Sequence, residues 1–292
     1  MKIANPIYDV VFKYLMEDSK IAKLLIGSII GEKIVELDFF PQEHTVLIKK
    51  DSLTVYHVDF IAKIKTSKGF KCILIEIQKA KFETDIMRFR KYLGSQYANQ
   101  ENSYQYGVKK NGKPRKKPLP IVSIYFLGYP LKGITAPIIK VKRHYYDVAN
   151  HDEEIKQKVE FIESLTHDSF VIQIPYLRQK YQTDLEGLLS VFDQHNRSEN
   201  DHVLTIKEED YPKKYRSVIR RLQSAIVEPE IRYSMDVEDD ILEELEDKER
   251  EIAKIEEEKS QLSQALDEKN KSLEEKDKLI RELMEKVQQS DL

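Results

Sequence analysis

The chain has 292 residues, of which 40% are apolar and 34% are charged, and its formal net charge is -3. A single cysteine, Cys72, excludes an internal disulfide and a thiolate zinc site, so disulfide-stapled secreted folds and zinc-ribbon folds drop out. The first residues lack the layout of a signal peptide, and the longest apolar stretch, Ile121–Leu131, is shorter than the roughly 20 residues that span a bilayer. We therefore expect a soluble, cytoplasmic protein that does not associate with membranes.

The small net charge conceals a basic body and an acidic tail. Residues 236–292 contain 10 Lys and Arg against 21 Asp and Glu, a net charge of -11. By difference, residues 1–235 contain 38 basic and 30 acidic residues, a net charge of +8. A body with this charge favours a polyanionic partner.

The spacing of apolar residues predicts the elements in chain order. A helical stripe covers residues 10–29 and is closed by Gly31. Strand-like runs follow at 45–49, 53–65 and 70–78, and the Ser67–Gly69 segment joins the last two as a hairpin. A helix is expected within 81–105, and buried strands at Ile121–Leu127 and Pro137–Val141. This order predicts an α/β fold with a mixed sheet flanked by helices.

The pattern changes after the last predicted strand. From about residue 148 we expect a helical region, with amphipathic segments near 153–165, 183–196 and 211–226. The domain prediction is therefore a core at 1–147, a helical region at 148–235 and an acidic coiled coil at 236–292.

Apolar residues recur in heptads through the acidic tail, which contains neither proline nor glycine. With Leu245 at heptad position a, ten of fourteen a and d positions are apolar, and lysine occupies the other four. A single helix cannot bury so narrow a stripe, so we expect a coiled coil that joins two copies of the chain. The core lysines predict a weak or register-selecting contact. The alternative is a lone charged helix stabilised by pairs such as Glu282 and Lys286.

Two acids interrupt the predicted strands. Asp59 lies in the apolar run 58–62, and Glu76 lies in the run 72–79. A buried carboxylate is costly unless it binds a cation or pairs with a base. If the hairpin forms, the two carboxylates converge and suit Mg²⁺, a cation that prefers oxygen ligands and can activate water for phosphodiester hydrolysis. The alternative is a structural cluster neutralised by Lys63, Lys71 or Arg88.

Four motifs together resemble a known family. The first is an Asp-X-X-Phe-Lys opening, carried by Asp9 to Lys13, and the second is a strand that contains Asp59. The third is a Glu-X-Gln motif, carried by Glu76 to Gln78, and the fourth is an Arg-X-X-X-Tyr spacing, carried by Arg88 and Tyr92. The chain resembles the PD-(D/E)XK nucleases, and more closely the Rpn-type recombination-promoting nucleases, which are also described as PD-(D/E)XK nuclease family transposases. The resemblance covers roughly residues 1–145 and implies a restriction-endonuclease-like core.

The resemblance also implies roles for individual residues. Asp59 and Glu76 would bind Mg²⁺, for which Mn²⁺ can substitute, with the carbonyl of Ile77 as a further ligand. Gln78 stands where most of the superfamily has lysine and would orient the attacking water, although it can neither carry charge nor titrate. Further site residues are Asp9, Arg88 and Tyr92, and the first two also have a plainer structural alternative. The alternative for Asp9 is a favourable helix N-terminal charge, and for Arg88 a surface ion pair.

A basic segment at 107–118 is predicted to be a loop that contacts DNA phosphates. Its cations are Lys109, Lys110, Lys113, Arg115, Lys116 and Lys117. The alternative is a solvated loop tip. A second basic face is expected from Arg216, Arg220 and Arg221.

These features together predict a Mg²⁺-dependent DNA endonuclease linked to recombination or transposition. One alternative is a catalytically weak or inactive DNA-binding accessory protein of a mobile element. Another is a scaffold whose tail recruits a partner and whose sheet only packs.

Overall fold

The computed structural model describes residues 1–47, 54–67, 69–78, 85–178, 182–198 and 201–290. Within these residues the chain forms two compact units, Met1–Asp239 and Asp240–Leu292. The helices are α1 (Asp9–Glu17), α2 (Ser19–Ile30), α3 (Asp85–Ala98), α4 (Glu160–Leu165), α5 (Asp184–Leu189), α6 (Arg216–Ala225) and α7 (Pro229–Ser290). No helix of the described residues is long and apolar enough to cross a membrane.

The strands of the described residues lie in the first unit. They are β1 (Lys2–Ala4), β2 (Ile34–Leu47), β3 (Thr54–Thr66), β4 (Gly69–Gln78), β5 (Ser103–Val108), β6 (Pro114–Pro118), β7 (Ile121–Leu127), β8 (Ile138–Val141), β9 (Tyr145–Asp147), β10 (Glu153–Ile155), β11 (Asp168–Gln173) and β12 (Val203–Thr205). Six of them form the main sheet in the order β2-β3-β4-β7-β11-β8. The β4–β7 and β7–β11 pairs are parallel and the others are antiparallel, so the predicted mixed sheet is confirmed.

Helices cover both faces of this sheet. On one face α1, α2 and α6 bury the main core, in which Phe126 of β7 contacts both Phe12 and Phe192, with ring centroids 5.6 and 4.9 Å away. On the other face α3 packs Phe89 and Tyr92 against a smaller cluster. The two clusters explain why β7, buried on both sides, is apolar almost throughout.

Local signals explain how the first helices end. Asp18 separates α1 from α2, because its carboxylate accepts hydrogen bonds from the amides of Lys20 and Ile21 and so caps α2. Gly31 ends α2 in the left-handed region, with φ of 71°, as the sequence predicted.

Three predictions differ from the structure. The segment 107–118, predicted to be a loop, is the β5–β6 hairpin. Residues 45–47 of the first predicted strand, 45–49, belong to a longer strand, β2, that starts at Ile34, and residues 48 and 49 lie outside the described residues. The region from residue 148 is not purely helical, since β11 lies in the main sheet between β7 and β8 and β12 pairs with β1. Residues 148–239 therefore share one compact unit with residues 1–147.

Candidate active site on the central hairpin

The β3–β4 hairpin carries the two strand acids next to the end of its paired region. The antiparallel register runs from Thr66 opposite Gly69 to Phe60 opposite Ile75. Asp59 precedes Phe60 and Glu76 follows Ile75, so each acid adjoins the last pair of this register. The predicted hairpin is thus confirmed. The side chains of Asp59, Glu76 and Gln78 lie outside the described residues.

Strand alternation assigns these positions to one face of the sheet. Ile61 and Leu74 are buried in the cluster beneath α3, whereas Ala62 and Ile75 belong to the main core. Positions two residues apart on a strand share a face. Positions 59, 76 and 78 therefore belong to the face that α3 covers. Glu76 pairs in parallel with Tyr125 of β7, which packs against that same cluster.

Helix α3 packs on this face through two of its aromatic side chains, Phe89 and Tyr92. Tyr92 is buried, and Phe89 lies against Tyr125 with ring centroids 4.5 Å apart. Arg88 precedes Phe89 and is four residues before Tyr92, but its side chain lies outside the described residues. Of this motif, the structure places Tyr92 on the α3 face of the sheet.

The cluster between the hairpin and α3 is apolar. Cys72, in the same cluster, is fully buried, and burial raises the pKa of its thiol to about 12 although the nearby Lys63 acts to lower it. Lys63 donates to the carbonyl oxygen of Glu101 at 2.9 Å. Lys71 forms an ion pair with Glu32 at 2.7 Å, so one cation that could have neutralised the strand acids is engaged elsewhere.

Asp9 belongs to a helix on the other face of the sheet. It is the first residue of α1, and its amide donates to Glu238 at 3.0 Å. Phe12, one turn further, contacts Phe126 in the main core. α1 therefore packs on the face opposite α3, and Asp9 begins a helix of a different face from positions 59, 76 and 78.

Among the side chains that the structure describes, no cluster of three or more His, Cys, Asp or Glu residues could hold a metal ion. This finding does not include Asp59 and Glu76, whose side chains are not among those described. A metal site on the hairpin therefore stays a prediction.

The β5–β6 hairpin carries the densest group of cations. Lys109, Lys110, Lys113, Arg115 and Lys116 are exposed and form no ion pair with any described residue. Lys117 differs, because it pairs with Glu160 and lies over the ring of Tyr106 at 4.7 Å. Tyr106 is itself exposed. The hairpin therefore presents both free cations and an aromatic side chain to solvent.

A second cationic surface is an open pocket of ≈ 610 Å³ beside α6. Its five cations are Lys213, Lys214, Arg216, Arg220 and Arg221. Lys214 pairs with Asp184 and Arg216 lies 3.6 Å from Glu208. Arg221 stacks 3.6 Å from the ring of Tyr14. Lys213 and Arg220 form no ion pair within the described part of the chain.

The sequence did not predict a polar cluster where β12 meets α7. Tyr8 donates to Asp239 at 2.8 Å, and His202 Nε2 lies 2.8 Å from the same carboxylate oxygen. The rings of Tyr8 and His202 meet edge to face at 5.0 Å. Burial, and then the hydrogen bond to Asp239, raise the pKa of Tyr8 far above its usual value. The cluster anchors the start of α7, and its members are too far apart in sequence to form a motif.

Comparison with known proteins identifies no relative of the chain. No protein-family model, no curated protein and no solved structure matches the chain.

Proposed function

We propose that the protein is a Mg²⁺-dependent DNA endonuclease with a restriction-endonuclease-like core, linked to recombination or transposition. The observation that carries the proposal is the register of the β3–β4 hairpin, whose last pair, Phe60 with Ile75, adjoins Asp59 and Glu76 in the chain. Support also comes from the mixed sheet with helices on both faces.

The residue types on the hairpin fit a hard divalent cation. Asp59 and Glu76 supply carboxylates and Ile77 supplies a carbonyl oxygen, and Mg²⁺ prefers oxygen ligands. The ion, when bound, would lower the pKa of water and neutralise charge on the leaving oxygen. Mn²⁺ offers a similar preference and serves as its substitute.

Gln78 would hold the attacking water by hydrogen bonds. Its amide has both donors and an acceptor, so it can orient a water molecule without accepting or releasing a proton itself. Arg88 would provide a bidentate contact to a phosphate. Tyr92, which is buried in the packing of α3 on the sheet, would hold that helix in position.

DNA would be held mainly through its phosphates. The exposed cations of the β5–β6 hairpin supply charge, and Tyr106 supplies a ring on which an unpaired base can stack. The α6 pocket would offer a further phosphate contact through Lys213 and Arg220. These surfaces would also serve an accessory protein that binds DNA without cutting it, which is the second candidate function.

Nicking of supercoiled plasmid in Mg²⁺ tests the proposal. We expect Asp59→Asn and Glu76→Gln each to lower the nicking rate by more than the roughly 10–100-fold that loss of an outer partner costs a metal site. The matched control is Glu36→Gln, which removes an exposed carboxylate of the same sheet that pairs with Lys65. It should nick as the wild type does.

Binding to the same DNA without metal separates the two candidate functions. Both site variants should bind like the wild type, since the cations that hold the phosphates are unchanged. Equal nicking by the wild type and both variants would refute the nuclease. Binding by all proteins with nicking by none would favour the accessory protein.

A further inference from the structure

Helix α7 exposes an apolar seam along the second compact unit. Six core-position side chains of the heptad pattern are between 52% and 73% exposed, namely Ile252, Ile255, Leu262, Leu266, Leu273 and Ile280. Exposed large apolar side chains at this spacing mark the contact face of a coiled coil. The question that the sequence left open is what covers the seam and in which direction it runs.

We infer that a second copy of this chain covers the seam in antiparallel orientation, with residue n opposite residue 521 - n of the partner copy. The inference concerns assembly and does not depend on the proposed nuclease activity. It rests on where lysine and glutamate interrupt and flank the apolar positions between residues 245 and 276.

The four lysines at core positions make a parallel dimer unfavourable. In a parallel, in-register homodimer each core position meets its own copy. Lys248, Lys259, Lys269 and Lys276 would therefore form four layers in which two ammonium groups face each other. Like charges in contact are unfavourable, and the apolar layers between them would have to offset all four repulsions.

The antiparallel register removes every one of these repulsions. An antiparallel pair matches each a position with a d position of the partner copy. When the numbers of the two opposing residues add up to 521, each lysine meets an apolar side chain. The layers are Lys248 with Leu273, Lys259 with Leu262, Lys269 with Ile252, and Lys276 with Leu245, and the remaining layer joins Ile255 with Leu266. A lysine beside a leucine can lay its aliphatic stem on that side chain and keep its ammonium group in water.

The flanking acids favour the same arrangement. In a parallel pair Glu251, at position g, faces Glu256, at position e, of the partner copy, and this like-charge contact occurs twice. In the antiparallel register Glu251 lies beside Ser272 and Glu256 beside Ser263. Neither contact is repulsive.

Neighbouring antiparallel registers are less favourable. If the helices shift by one heptad so that the numbers of opposing core residues add up to 528, Lys259 lies opposite Lys269. If the shift is in the other direction, to a total of 514, Glu256 lies beside Glu256 of the partner copy and Glu258 beside Glu258 of the partner copy. Among these three adjacent registers, only 521 avoids both faults over residues 245–276.

Distances between spin labels in the full-length protein test the orientation. Single cysteines are introduced at outward positions by Ser260→Cys, Lys271→Cys and Glu275→Cys, all of which are exposed in the structure. In the antiparallel pair, labels at residue 260 lie at the same height on the two adjacent helices. The axial offset between the two labels then grows by about 3 Å for each residue away from the centre, because both copies recede by 1.5 Å per residue, and the label distance is the hypotenuse of this offset and the constant lateral spacing.

The expected distances are about 20 Å at residue 260, about 35 Å at 271 and about 45 Å at 275, from the helical rise and helix spacing. A parallel pair gives similar short distances at all three sites, and a monomer gives no distance at all. Either result overturns the inference. The unsubstituted protein is the labelling control, since Cys72 is buried and its thiol has a raised pKa.

Discussion

A single buried amide fixes the connection between β7 and β8. Gln173, at the end of β11, is fully buried. Its side chain accepts from the amide of Leu131 at 2.6 Å and donates to the carbonyl oxygens of Ile134 and Ala136 at 3.1 and 2.7 Å. Three main-chain groups of an irregular segment are thereby satisfied from within the sheet, which is what a segment without its own ladder requires.

Gln173→Leu should lower the free energy of unfolding by about 1–3 kcal/mol, because it keeps the side-chain volume but leaves polar main-chain groups without partners. Urea denaturation followed by circular dichroism measures the change. The control is Gln223→Leu at an exposed position of α6, which should change the stability by less than about 0.5 kcal/mol. An equal effect of the two substitutions would contradict the role of the buried amide.

The structural role of a single residue could be predicted from the sequence where that role depends only on its neighbours in the chain. Gly31 ends α2 because a left-handed C-cap favours glycine, and that requirement is visible in the neighbouring residues alone. The cluster of Tyr8, His202 and Asp239 could not be predicted, since its members come from the segment after β1, the residue before β12 and helix α7, which are distant in sequence.

At the scale of elements, a strand could be predicted from the sequence when the strand that pairs with it is adjacent in the chain. The β3–β4 hairpin follows from two alternating runs and a short turn. β11 has its partners β7 and β8 distant in sequence, and six residues with a central Phe-Val-Ile run fit a buried helix segment as well as a strand. The β5–β6 hairpin was missed because its second strand is almost wholly polar and starts with proline.

The β5–β6 hairpin should contribute to DNA affinity through charge alone. We expect Arg115→Gln combined with Lys116→Gln to lower affinity at low salt and to reduce the slope of log K against log salt by about 2, roughly one for each phosphate that is no longer neutralised. Fluorescence anisotropy with a labelled duplex over a salt series measures both quantities.

The control for this prediction matches the change in charge. Lys2→Gln combined with Lys23→Gln removes the same two charges from β1 and α2, elements of the main-core side of the sheet. If the two double variants show the same drop in affinity, net charge alone would explain binding and the hairpin would have no specific part in it.

At the scale of the whole molecule, the two compact units differ in charge and in how their apolar residues are covered. Met1–Asp239 carries a net charge of +5 and Asp240–Leu292 a net charge of -8. The first unit buries its own core, whereas the second exposes its seam. The thermal stability of the fold should therefore depend on the first unit, and the association of two copies of the chain should depend on the second.

Truncation after Glu244 should separate these two properties. The shortened chain keeps the main core, the contacts of Tyr8 and His202 with Asp239, and the buried Ile241. We therefore expect its thermal midpoint to match that of the full chain, measured at low concentration, to within a few degrees. Sedimentation equilibrium should show a dimer for the full chain and a monomer after truncation, because the exposed seam has been removed.

A full-length variant separates pairing from the loss of acidic charge. Leu262→Asn combined with Leu266→Asn retains every charge but places amides in two of the central layers, which weakens a coiled coil. It should also sediment as a monomer and should keep the thermal midpoint, since both side chains are exposed in the single chain. A truncated chain that remained dimeric would locate the contact in the first unit, and a monomeric full chain would show that α7 stays unpaired.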